Sequence, residues 1–65
     1  MNNYILHDIN GTIEATTKQT IKQAKKQLKL NKLNGYDKEL KTIDLNTIQN
    51  ALMYLSNSGY KIEEL

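Results

Sequence analysis

His7 and Asp8 are neighbours near the start of this 65-residue chain, and His7 is its only histidine. A histidine beside a carboxylate is a starting point for acid–base chemistry. On a strand, however, adjacent side chains point to opposite faces, so the two cannot form a dyad there. If Asn10-Gly11 makes a tight turn, His7 instead lies across from Glu14. A His–Glu pair on an exposed sheet face can exchange a proton near neutrality. It is also an ordinary solvated cross-strand pair, which needs no catalytic role.

Other chemistry finds little support. The chain has no Cys, hence no thiol nucleophile, disulfide or thiolate metal site. Ser56 and Ser58 have no histidine close in sequence, and Glu63 and Glu64 alternate across a strand. The three glycines are single and far apart, unlike a phosphate-binding loop. A chain this short also leaves little volume for a pocket of ~300 Å³ or more. The expectation is a non-enzymatic protein with no cofactor and no metal.

Charge is more informative than catalysis. All nine basic residues are Lys, and the net charge is +2. Six lysines lie between Ala15 and Tyr36, a stretch without a single acid. On a helix, Lys18, Lys22, Lys25, Lys29 and Lys32 fall within about 80° of arc, beside an Ile21-Ala24-Leu28 stripe. Such a row could track phosphates in a salt-dependent way. Arg, the usual base reader, is absent, and no aromatic is interleaved to stack on bases. The row therefore fits a weak nucleic-acid contact, an acidic protein surface, or a plain solvated helix face.

From Leu45 to Tyr60 there is no charge at all. Leu45, Ile48, Ala51, Leu52 and Leu55 form an apolar arc of about 120° on a second helix. Its outer face then carries Asn46, Asn50, Met53, Tyr54 and Asn57. Interface cores are depleted in charge and enriched in Tyr and Met, so Asn46, Asn50, Met53 and Tyr54 are candidate contacts for a foreign protein or for a homodimer. AT-rich coding, which yields Asn, is the alternative explanation.

These faces need elements to hold them. Tyr4 to Ile9 and Thr12 to Thr16 read as a hairpin around Asn10-Gly11 in a type I′ turn. That register sets Leu6 opposite Ala15 and Asp8 opposite Ile13, with Tyr4, Leu6, Ile13 and Ala15 on one side. A type I turn on Asp8-Ile9-Asn10-Gly11 with a Gly bulge would group Ile5 and His7 with Ile13 and Ala15 instead. Thr16 or Thr17 can cap the first helix, and Asn34-Gly35 stops it. Asp44 is the expected N-cap of the second, which Ser58-Gly59 ends. Lys38 to Ile43 and Tyr60 to Glu64 read as short strands, Tyr60 and Ile62 alternating with Lys61 and Glu63. Tyr36 and Tyr60 each follow a glycine and fit packing at the edge of the core. The glycines at 11, 35 and 59 are spaced evenly, which suggests a strand–helix unit used twice, or coincidence.

The expected fold is a single α+β domain over residues 1–65. It has two layers: an N-terminal hairpin, helix, short strand, helix and short C-terminal strand, with both helices on one face of a small sheet. At this size a core buries only ~60% of the unfolded surface, so good patterning, self-association or docking on a partner must supply the rest. No run is long and apolar enough to span a membrane, and the start lacks a signal pattern, which predicts a cytoplasmic protein with no membrane contact. Heavy use of Lys, Asn and Ile with no Arg or Pro points to a low-GC bacterium, or a phage or mobile element living in one. The functional expectation is a small regulator or inhibitor that occupies a macromolecular surface. A nucleic-acid-binding protein and a self-associating structural subunit are the alternatives.

Overall fold

A computed structural model describes residues 2–35 and 44–65. Strands β1 (Asn3–Asp8) and β2 (Gly11–Thr16) form the hairpin, followed by helix α1 (Thr17–Leu33), helix α2 (Ile48–Asn57) and strand β3 (Lys61–Glu64). The sheet is antiparallel in the order β2-β1-β3, so β1 is central. The expected strand at Lys38 to Ile43, and Tyr36, lie outside the described residues.

The α+β fold with both helices over one sheet face is as the patterning indicates. Tyr4, Leu6 and Ala15 from the sheet bury against Ala24 of α1 and Ala51, Tyr54 and Leu55 of α2. Leu45 and Tyr60 close the ends, and Ile21, Leu28, Ile48, Leu52 and Ile62 pack around them. Ala24 and Ala51 are both fully buried, small side chains where the helices and sheet converge.

The hairpin keeps the expected faces in a different register. Leu6 pairs with Ile13, Tyr4 with Ala15 and Asp8 with Gly11, so Ile9 and Asn10 are the turn residues. Type I′ needs positive φ at both central positions, and no non-glycine residue among those described has it. Within the hairpin Gly11 alone has positive φ, at 137°, and it pairs with Asp8 rather than bulging. The reason lies at the other end of β2. Thr16 is the N-cap of α1 and ends the strand. With β2 stopped there, sliding the pairing by two residues is what brings Asn3 and Tyr4 into the ladder. A shift of two preserves the faces. The cost falls on Ile9, which is 96% exposed at the turn tip.

Both helices are closed by local chemistry. The Thr16 hydroxyl accepts from the Gln19 N–H (3.2 Å), and the Gln19 carbonyl accepts from the Thr16 N–H (2.9 Å), a reciprocal capping box. Helix α2 starts later than expected, because Thr47 and not Asp44 is its N-cap, accepting from the Asn50 N–H at 3.3 Å. Asp44 turns its carboxylate onto the Asn46 N–H (2.9 Å), a local turn that holds the chain one step before the helix. At the far end the Tyr60 N–H donates to the Leu55 carbonyl and the Gly59 N–H to the Ser56 carbonyl. That double bond pattern, with Gly59 at φ 101°, reverses the chain and drops Tyr60 into the core.

Gly11→Val is expected to destabilise the protein by more than ~1 kcal/mol, because a β-branched residue is a true outlier at positive φ. An added Cβ would meet nothing within 4 Å, so the penalty is conformational rather than steric. Thermal melts of the two proteins check this; equal midpoints would contradict the turn geometry.

Candidate functional site

The two helix faces and the open side of the sheet are the surfaces on which function could reside. On α1 the structure keeps Lys18, Lys22, Lys25, Lys29 and Lys32 together and exposed, with Lys26 beside them. Lys25 donates to the Asn46 side-chain oxygen at 2.8 Å. Among the described residues no carboxylate forms a salt bridge with any of these lysines. Between the lysine stems and β2 runs an open groove of about 480 Å³, lined by Ile13, Glu14, Ala15, Gln19, Lys22, Gln23 and Lys26. It exceeds the volume expected of so short a chain. Because α1 runs alongside an edge strand without covering it, the space is a surface trough rather than an enclosed cavity.

The outer face of α2 is smaller than the sequence suggests. Tyr54 is only 7% exposed and belongs to the core. It stands about 60° from Ala51 on the helical wheel, on the side that faces α1, so α1 covers it. Its hydroxyl accepts from the Asn31 side chain at 2.8 Å. Asn46 is engaged by Lys25, and the Asn50 side chain donates to the Asp44 carbonyl at 2.8 Å. Met53, 63% exposed, remains as the apolar group of that face.

His7 is not paired with Glu14. The shifted register sets His7 opposite Thr12 on one side and Lys61 on the other. Its Nδ1 lies 3.1 Å from the Thr12 hydroxyl and its Nε2 lies 3.0 Å from a Glu63 carboxylate oxygen. Glu14 accepts from the Asn3 amide instead, at 3.2 Å. A His–carboxylate pair does exist on the open sheet face, but β3 supplies the acid. With the Thr12 hydroxyl on Nδ1 and the Glu63 carboxylate on Nε2, the three form a hydroxyl–imidazole–carboxylate chain on an exposed face.

The least foreseeable feature is a polar seam on the buried side of α1. Gln23 donates to the Tyr60 hydroxyl (2.9 Å), which donates to Gln27 (3.2 Å). Gln27 donates to Asn31 (2.8 Å), and Asn31 donates to Tyr54 (2.8 Å) and Ser58 (3.4 Å). Residues 23, 27 and 31 recur every four positions, one above another on a single helix face. That spacing is visible in the sequence, but three amides in a row look like a solvated face until two tyrosines are known to meet them. No buried side-chain polar atom among the described residues lacks a partner. Burial raises the Tyr60 pKa above the ordinary tyrosine value, a hydrogen bond from Gln23 opposes this, and the nearby Asp8 carboxylate adds to it.

Among the described residues no group of His, Asp and Glu could hold a metal ion, and no helix is long and apolar enough to cross a membrane. The molecule belongs to the class of small two-layer α+β domains with an open sheet face and a basic helix. No protein-family model, curated protein or solved structure matches the chain.

The raised Tyr60 pKa sets an expected pH dependence. Above about pH 10 the folded state holds a proton that the unfolded state has released, so stability falls as pH rises through that range. Urea titrations of wild type and Tyr60→Phe from pH 8.5 to 11 should show a steeper alkaline loss for wild type. Parallel profiles would contradict the burial of a neutral tyrosine.

Proposed function

We propose that this chain is a non-enzymatic binding module, a small regulator or inhibitor that docks on an acidic surface of a macromolecular partner. The observation that carries this reading is the lysine face of α1, exposed along its length and without a described carboxylate to neutralise it. Isolated surface lysines are unremarkable; a row bordering a trough floored by Ile13 and Ala15 offers both charge and some burial to a partner. A protein is the favoured partner, because the row has no Arg to read bases and no aromatic to stack on them. A reducing cytoplasmic setting and a phage or mobile-element origin suit the Cys-free, AT-rich composition.

Binding to fluorescent poly-glutamate, to a DNA duplex and to a single strand, each at low and high salt, tests the reading. Poly-glutamate should bind, and nucleic acid should bind weakly, without sequence preference and with steep loss in salt. Replacing Lys22, Lys25 and Lys29 together by Glu should weaken binding at least tenfold. Unchanged affinity in that variant would overturn the proposal, as would tight, salt-resistant binding to one DNA sequence.

A second reading, self-association through α2, rests on the exposure of Met53 in an uncharged helix. Met53→Lys should leave the fold intact, since Met53 lies away from the core. If α2 is the contact, the variant should weaken association by a few kcal/mol, because it buries an unpaired charge. Sedimentation over a range of concentrations decides: a monomeric wild type rejects this second reading.

A further inference from the structure

Strand β2 is an edge of the sheet, bonded to β1 alone among the described residues. Its hydrogen-bonding groups can be oriented from one observation. The Thr16 N–H turns away from β1 to reach the Gln19 side chain. Strand groups alternate sides with a period of two, so the N–H and C=O of Glu14 and Thr12 also face outward. Apart from Ala15, every residue of β2 is exposed. An unpaired edge of this kind templates a further strand unless something blocks it. No proline, bulge or covering loop does so here among the described residues.

We propose that β2 accepts an extended, acidic segment of a protein partner as a fourth strand, seated in the trough below Lys22 and Lys26. This rests on the reading of the lysine face as an acidic-partner surface, and it names how the partner is held. Charge complementarity selects the occupant, since Lys22 and Lys26 line the trough against the single carboxylate of Glu14. Strand residues 13 to 15 and helix residues 19 to 26 line the same trough, so strand and helix run alongside each other. Lysines four apart on a helix are separated by about 6 Å along its axis, and alternate residues of a strand by about 6.7 Å. Carboxylates at alternate positions of the incoming strand therefore match Lys22 and Lys26, with their aliphatic stems against Ile13. Its backbone takes up the groups of Thr12 and Glu14. A second copy of this chain, added symmetrically through its own β2, would set one lysine helix beside the other, and like charge opposes it.

The probe is the acetylated, amidated heptapeptide Thr-Glu-Val-Glu-Val-Glu-Thr, with Thr-Lys-Val-Lys-Val-Lys-Thr as its control, titrated into the full-length protein and followed by amide NMR. The acidic peptide should bind and slow exchange of the Thr12 and Glu14 amides at least tenfold, and the basic one should do neither. The double variant Lys22→Glu, Lys26→Glu should lose at least tenfold in affinity. Glu14→Pro removes an outward N–H and should abolish binding, while Glu14→Ala retains it. If the acidic peptide binds through the lysines but leaves the Thr12 and Glu14 amides unprotected, strand addition is wrong and the acidic-partner reading survives. No binding at millimolar peptide overturns strand addition, while the poly-glutamate titration separately decides the broader reading. If those amides are already protected in the free protein, increasingly so with its concentration, a second copy occupies the edge and the foreign strand is excluded.

Discussion

Everything in this fold depends on how α1 is held against the rest, and the seam of Gln23, Gln27 and Asn31 is what fixes it. A purely apolar helix face can slide or rotate on a sheet with little penalty. A row of part-buried amides bonded to Tyr60, Tyr54 and Ser58 resists this, because a shift breaks several hydrogen bonds at once, each worth about 0.5–1.5 kcal/mol. The seam joins α1 to the end of α2 and to Tyr60, the residue just before the final strand. In a domain whose apolar core is small, that specificity of placement matters more than added burial.

The Thr16 cap is a second fixed point, and it acts on both elements it separates. It stops β2, starts α1, and thereby sets the register in which Leu6 meets Ile13 and Tyr4 meets Ala15. The exposed Ile9 at the turn is a consequence. So is the path of α1 back over the hairpin, which leaves the lysines outward and, among the described residues, the edge of β2 open. Surface chemistry and core packing are thus set by the same residues.

The chemistry of the surface follows from what is absent near it. The six lysines of α1 have no described carboxylate in salt-bridge range, whereas the acids of β3 are turned to His7 and Asn2. Among the described residues the acids of β3 thus lie away from the lysine face, and Glu14 is the carboxylate that shares the trough with Lys22 and Lys26. The proposed role as a small regulator rests on that lysine face together with the strand edge that the described residues leave open.

The sequence alone determined the types and order of the described elements, the faces of the hairpin and the lysine face, because each is a local periodicity. Period two assigns Tyr4, Leu6 and Ala15 inward; period 3.6 places Ala24, Ala51 and Leu55 inward and the lysines outward. It also marked Thr16 or Thr17, Asn34 and Ser58 as helix ends through their capping chemistry, whereas its cap for the second helix, Asp44, gives way to Thr47. What it could not determine depends on which element lies beside which. The partner of His7 is Glu63, distant in sequence, because β3 returns along β1 rather than because of the hairpin. Tyr54 was legible as uncharged-face material and became core because α1 packs on that flank of α2. The pairing register depended on a cap at the far end of the strand. Gln23, Gln27 and Asn31 look solvent-facing by composition, and only the approach of two tyrosine hydroxyls makes their burial favourable. Local pattern specifies what a segment is; the positions of its neighbours decide which of its polar groups can be satisfied away from water.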